Sequence, residues 1–489
     1  MALTRRRFLA SSLATLGASA FSQLALKCAN PCGYEGIYTD RFTYRPGDTI
    51  DVMVSLMSSV QVNVSILRYD TVLPYMAPQT VATYPVQPTD EGNVDQPSSI
   101  GAAFSPVLQL PASDFAPGVY GVQISPNAMQ PQNQINDSNT FASDNSVAYF
   151  VVTPQVAGSF SRILWLHDSL TGTAYGSFGG ASIYGGSAGF VRTVSWWRPG
   201  LNLQAISHIY ALEFFRGNGY AFEYIDLVDL AAASPGYLNA YDLVCVVGQF
   251  EYIPHEVMVQ FQSYLAGGGN VFAASHEFGT YRVRLDPNAR TMTTYKWDYA
   301  SFDPYYLSGD PAQAPYVAGI GMCSPASPYE TELLAQTVWA ANYAAQDGPV
   351  DLPVYNLPTA GWILDGTGLS AGDVLPQAFG GYASGCCLQF DSSNQPYPIL
   401  TDVMRIPANT VVWAALPSSD AQDWRLNAGQ PCGNWPLLAS GYATATLQEL
   451  SSGSIVVSFP SPDLARYQIG SPIYDRMRLN IIGRLSVRS

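Results

Sequence analysis

Between residues 160 and 280 the chain alternates short, unbroken apolar runs with segments of helical period. That rhythm restricts the fold more than any other feature. The runs are "ILWL" (163–166), "YDLVCVVG" (241–248) and "VFAAS" (271–275). A strand with one wet face alternates apolar and polar residues, so a run without alternation reads as a strand covered on both faces. Between the runs, "ISHIYALEFFRGNGY" sets Ile206, Ile209, Tyr210, Leu212 and Phe214 on one broad helix face, which Gly217 and Gly219 end. "AFEYIDL" reads as a further strand, and "HEVMVQFQSYLAGGG" as a helix with Val257, Met258, Phe261 and Leu265 on one side. This alternation predicts a parallel sheet with helices on both faces.

The rhythm differs on either side. Over 34–153, Val52, Val54 and Leu56 alternate with polar residues, as do Val60, Val62, Val64 and Ile66, and "FAPGVYGVQIS" and "NSVAYFVVTP" add turn-flanked strands. These segments predict a β-sandwich. From about 345 to 440 short strand-like runs and Gly/Pro turns prevail, before a late strand in "GSIVVSF" and a final helix in "YDRMRLNIIGRLS". The fold class is therefore α/β plus all-β: a β-sandwich at 34–153, then a parallel-sheet α/β domain at 158–489 with a β-rich segment inside it.

Charge excludes some partners. Charged residues make up 12% of the 489-residue chain and the net charge is −15, with only two lysines, Lys27 and Lys296. No basic patch follows the first residues, so nucleic acid and anionic membrane surfaces are poor partners. No segment past the start approaches a membrane span. "MALTRRRFLASSLATLGASAFSQ" reads as a twin-arginine export signal over 1–20, followed by a linker at 21–33. The expected location is periplasmic or secreted. Of the seven cysteines, Cys28 and Cys32 could close a small loop, Cys386 and Cys387 read as a free pair, and Cys245 reads as a buried small hydrophobe.

Open parallel sheets bind ligands beyond the carboxyl ends of their strands. The chain has four histidines, and three fall near such ends, each followed by a carboxylate: His167–Asp168, His255–Glu256 and His276–Glu277. The fourth, His208, lies in a predicted helix and reads as structural. Glu251 and Tyr252 precede His255 and are expected where the sheet meets solvent; His255 and Glu256 read more readily as the start of a helix, with Glu256 favoured at the positive end of its dipole. Neighbouring strands in one direction would gather these groups in a single crevice. Imidazole, carboxylate and phenol supply ligands for iron or zinc, or a base with an orienting acid. Ser275 lacks the glycines of a nucleophile elbow.

"TAYGSFGGASIY" followed by "VSWWRPG" resembles the characteristic block of the large (β) subunit of N,N-dimethylformamidase and its relatives. "YDLVCVVGQFEY", "GGGNVFAASHEFGTYRVRL", "SPYETELL" and "WILDGTGLSAGD" follow in the family's order, and "FTYRPGDTIDVMVS" matches the β-domain before them. The resemblance implies a β-sandwich joined to a class I glutamine-amidotransferase-like α/β domain, and hydrolysis of small N-substituted amides at an iron held by tyrosine and glutamate. Carried across, Glu251 and Tyr252 fit the E-Y motif, Tyr281 lies near the aromatic before R-x-R, and Tyr175 fits A-Y. Gln249 stands where the family carries histidine, Gly176 where it carries asparagine, and His276–Glu277 where it carries G-N.

The expected site therefore comprises Glu251, His276 and Glu277 as catalytic groups, Tyr252, Tyr281 and Glu277 as ligands of iron (or zinc), and His167, Asp168 and Tyr175 toward substrate. The first reading is an exported, metal-dependent hydrolase of a small amide C–N bond. The alternative is an inactive binding or surface protein on the same scaffold, its tyrosine-rich surface suited to carbohydrate or protein contact. Either is compatible with a homo-oligomer.

Overall fold

The computed structural model describes residues 35–488 apart from 59, 72–77, 92–95, 126–144, 186–188, 201–208, 297–298, 342–349, 356–358, 380–382, 387, 391–397, 401–404, 418–441 and 467–468. The export signal, the linker, His208, Cys28, Cys32, Cys387 and Cys432 lie outside the described residues. The chain is of mixed α/β character with several sheets. Among the described residues no helix is long and apolar enough to cross a membrane.

The alternating N-terminal segments form two sheets. Gly36–Thr39, Thr49–Ser55 and Pro106–Pro111 pair antiparallel in one. Gln79–Val86, Val62–Arg68, Gly118–Ile124 and Val147–Val152 form an antiparallel series in the other, which Thr43–Tyr44 extends in parallel. Ile37, Ile50, Val52 and Val54 from the first share one apolar core with Val64, Ile66, Val122 and Phe150 from the second. Period-two alternation places these residues on facing sides.

The unbroken apolar runs form the large central sheet. Glu223–Asp226, Ile163–His167, Leu243–Val247, Asn270–Ala274 and Ile455–Phe459 lie side by side in that order, all parallel. Tyr442–Glu449 then continues the sheet antiparallel. The lack of alternation has a direct cause. Leu164, Leu166, Val244, Val246, Val271 and Ala273 face one core, while Ile163, Trp165, Leu243, Cys245, Phe272 and Ala274 face another. With an apolar core on each face, both alternating sets must be apolar. The helices Ile209–Gly217, His255–Ala266 and Pro472–Leu485 fall within the segments of helical period.

One local expectation is corrected. Glu251 and Tyr252 do not lie where the sheet meets solvent. Gly248 adopts φ 136°, open to glycine but strained for other residues, and turns the chain out of the central sheet. Phe250 N then donates to Glu277 O at 2.9 Å, and Phe250–Pro254 forms a second strand parallel to Phe278–Asp286. Glu251 and Tyr252 are both 0% exposed. Phe250, Tyr252 and Ile253 pack into the core, so the strand is buried with its glutamate. The helix begins at His255, as expected.

Two buried carboxyls give the fold a pH dependence. Asp168 and Glu330 are each held up to about 8, chiefly by burial. Each has one oxygen, Asp168 Oδ2 and Glu330 Oε2, with no hydrogen-bond partner among the described residues. As pH rises from about 4 to about 8, the unfolded chain loses these protons while the fold keeps them, so their contribution to stability falls across that window. Thermal unfolding at pH 5 to 8 should show the decline, and Glu330→Gln should flatten it; equal slopes for variant and parent would refute the assignment.

Candidate active site

The parallel strands present their carboxyl ends on one rim, and a polar cluster is built there around Glu251. Tyr175 Oη donates to Glu251 Oε2 at 2.6 Å, Tyr184 Oη to Oε1 at 2.5 Å, Gln249 Nε2 to Oε2 at 3.0 Å, and Lys296 Nζ to Oε1 at 3.3 Å. Four donors on two oxygens identify an ionised carboxylate, its field satisfied by charge-assisted bonds.

A ring of hydrogen bonds closes beside it. Lys296 Nζ donates to Tyr252 Oη at 2.8 Å, Tyr252 Oη to Tyr184 Oη at 2.9 Å, and Tyr184 Oη to the same Glu251 oxygen that Lys296 reaches. The Lys296 ammonium lies 3.6 Å from the centroid of the Tyr184 ring and 4.0 Å from that of Tyr281. Aromatic faces thus stabilise a cation that is only 4% exposed. Burial, and then the charge of Glu251, holds the Tyr252 phenol well above the usual tyrosine range, so Tyr252 is a neutral donor.

Gln249 links a second carboxylate. Its Nε2 also donates to Glu277 Oε2 at 2.6 Å. One neutral amide therefore bridges Glu251 and Glu277. Cross-strand register places Tyr252 opposite Tyr281, and their rings stack at 5.3 Å.

Local sequence explains the supports. Asp168 Oδ1 accepts from Thr171 N at 3.0 Å and caps the helix Ser169–Tyr175. That helix carries Thr171, whose hydroxyl accepts from Glu251 N at 3.0 Å, and ends at Tyr175. Arg198, from "VSWWRPG", is buried and donates to the carbonyls of Thr173, Gly176, Phe178 and Ser195 at 2.5–3.2 Å. It pins the backbone on both sides of Tyr175. His167 Nδ1 lies 2.8 Å from Asp226 Oδ2, and Asp226 also accepts from Ser169 N and Oγ and from Val228 N.

The structure thus gathers Glu251, Tyr252, Glu277, Tyr281 and Tyr175 from the expected set. His167 and Asp168 lie at the end of their strand but are committed to Asp226 and to the helix cap. His276 follows the strand Asn270–Ala274 and is partly exposed, as are Tyr175, Tyr184 and Gln249, while Glu251, Tyr252, Glu277, Tyr281 and Lys296 are buried. An entering molecule meets the partly exposed group first. Sequence reasoning missed Lys296 and Tyr184. Lys296 stands out in the sequence only as one of two lysines, which says nothing of where it lies.

A family model described as N,N-dimethylformamidase beta subunit-like, C-terminal, matches residues 75–446. The chain belongs to this family. Every residue of the cluster lies within the matched span. No curated protein matches the chain.

Proposed function

We propose that this family member hydrolyses the C–N bond of a small amide at the Glu251 cluster, and that it works outside the cytoplasmic membrane after twin-arginine export. The N-terminal sheets are read as a sandwich and the central sheet as a glutamine-amidotransferase-like domain. The observation that carries the activity is the buried Glu251 carboxylate, ringed by four donors on the rim where parallel sheets hold ligands.

The donor set fits the iron that the family relation implies. Among the described residues no three His, Cys, Asp or Glu side chains gather as a metal set, so tyrosines have to contribute. Tyr175 Oη and Tyr184 Oη meet the two Glu251 oxygens at 2.6 and 2.5 Å, which makes two phenols and a carboxylate of hard-oxygen character converge. These three, in place of Tyr252, Tyr281 and Glu277, are the residues proposed to hold the ion. It would polarise the amide carbonyl.

The chain's own groups do the rest. Glu251, committed to the ion in this reading, is a poor base. Glu277, held by Gln249, takes the proton of the attacking water and passes it to the amine as the C–N bond breaks. The Lys296 ammonium and the neutral Tyr252 hydroxyl supply positive charge and a proton beside the reacting carbonyl. The buried tyrosines exclude bulk water from that point.

Gln249 is the observation that favours the binding-protein reading, because a neutral amide there cannot shuttle a proton as the family's imidazole could. Both readings meet one experiment: amine release from a panel of N-substituted formamides and acetamides by the purified full chain, with iron quantified on the same sample. Amine release with stoichiometric iron supports the hydrolase. An iron-loaded chain that releases no amine from any of them would leave the binding reading.

A further inference from the structure

We propose that a second cavity, lined by Val354, Tyr355, Trp413 and the loop 360–371, binds a neutral sugar ring. The cavity measures about 420 Å³, within the range of small-molecule sites. It is separate from the Glu251 cluster. Its buried residues Val354, Ala360 and Trp413 pack in the core that holds Trp165 and Cys245. Tyr252 and Tyr281 pack in the core on the other face of the central sheet.

The loop is held in shape by its own bonds. Val354 N donates to Asp373 O at 2.8 Å and Gly372 N to Val354 O at 3.0 Å, which closes it at the base. Asn480 Nδ2, on the helix Pro472–Leu485, donates to Ile363 O at 3.1 Å and to Asp365 O at 2.8 Å. Thr367 Oγ1 donates to Leu364 O at 2.7 Å and accepts from Leu369 N at 3.1 Å, and Asp373 Oδ2 accepts from Ser370 N at 2.7 Å. Gly366 and Gly368 sit at φ 73° and 80°, where glycine is favoured, so this part of the wall is backbone. A wall fixed before the ligand arrives lowers the ordering cost of binding.

The polar groups left over define the ligand. Asp365 is exposed, and its carboxylate makes no hydrogen bond or ion pair among the described residues. The backbone amides of Gly366, Gly368 and Ala371 donate to no acceptor there, and the exposed Ser370 hydroxyl has no partner. Arg476 flanks the loop: its Cδ and Nε lie 3.6 Å from where a side chain on Gly366 would begin, and it too makes no ion pair among the described residues. One rim therefore combines a carboxylate acceptor with several N–H donors, and Asp365 and Arg476 cancel in charge. An anionic ligand would face Asp365 on a chain of net charge −15, and a cation would face Arg476 and the row of N–H groups. Neutral hydroxyls, each a donor and an acceptor at once, satisfy both kinds of group. Beneath the rim Tyr355, Leu364, Leu369 and Trp413 supply apolar surface. A sugar ring, with hydroxyls at its edge and C–H bonds on its faces, matches that division.

Saturation-transfer NMR and calorimetry on the full chain test this without reference to amide hydrolysis. The probes are glucose, N-acetylglucosamine and their β-1,4-linked dimers, cellobiose and chitobiose. The expected result is a dissociation constant of about 1 mM for at least one of them, weak because the rim is open to solvent. Tighter binding of a dimer than of its monomer assigns the end of a glycan, and equal binding assigns a free sugar. A Cβ added at Gly361 meets no atom within 4 Å, so Gly361→Trp sets a large side chain on the cavity wall without strain. It should abolish saturation transfer with thermal unfolding unchanged. Asp365→Asn, which turns charge-assisted bonds into neutral ones, should raise the dissociation constant about 10-fold. Tyr184→Phe, at the Glu251 cluster, should leave sugar binding as it is. No binding of any probe at about 50 mM, binding that survives both Gly361→Trp and Asp365→Asn, or binding lost in Tyr184→Phe would overturn it.

Discussion

Replacing Glu251 by alanine is expected to destabilise the fold by about 3–5 kcal/mol, the range for removing one partner of a buried ion pair. The Glu251 side chain is fully buried and Lys296 nearly so, at 3.3 Å. Without the carboxylate, the ammonium keeps only the Tyr252 hydroxyl and the faces of Tyr184 and Tyr281 among these partners, and Tyr175, Tyr184 and Gln249 each lose an acceptor. The aromatic faces blunt the loss, since a cation–π contact is worth about 2 kcal/mol or more where water is excluded. The second variant carries the argument. Glu251→Ala combined with Lys296→Met removes the stranded charge, and urea unfolding should then recover at least ~1–2 kcal/mol over the single variant. If the double variant is no more stable than Glu251→Ala, the pair is not coupled and the ammonium does not depend on Glu251.

The sequence carried the scaffold further than the site, for a physical reason. The runs "ILWL", "YDLVCVVG" and "VFAAS" each match one strand because two apolar cores demand that both of their faces be apolar, a property written locally. Asp168 and His167 also sit at a strand end as expected, but their chemistry is decided by partners far away, Asp226 and the helix they begin. Glu251 shows the limit most clearly. "GQFEYIP" reads as the tail of a strand running into solvent, and only the turn at Gly248 and the new ladder to Phe278–Asp286 bury it. Tyr184 and Lys296 lie 67 and 45 residues from Glu251 along the chain. Nothing local in "GGASIYGG" or "TTYKWDY" names that destination. Tyr252 and Tyr281 were legible as a pair through the family's order of blocks, yet their oxygens play different parts: Tyr252 closes the ring to Lys296, while Tyr175 and Tyr184 are the phenols that reach the carboxylate.

That difference yields the other large expected effect. Tyr184→Phe keeps the ring under Lys296 and removes the oxygen that joins Glu251 Oε1 to Tyr252, so under the proposed hydrolase reading it should lower kcat/KM for amide hydrolysis by about 100-fold or more, equivalent to ~2.7 kcal/mol of transition-state stabilisation. If the proposed iron site is right, the same variant should also lose the ion, because one of the three converging oxygens would be gone. Tyr252→Phe leaves those three oxygens in place and deprives Lys296 of its 2.8 Å acceptor. It should retain iron and lose activity chiefly in kcat, since Tyr252 is assigned to proton and charge delivery and not to holding the ion or the ground-state amide. The contrast tests the division of labour within four tyrosines that are alike in composition. Iron retained by Tyr184→Phe and lost by Tyr252→Phe would reverse the assignment, and would return the metal to the Tyr252, Tyr281 and Glu277 side of the cluster.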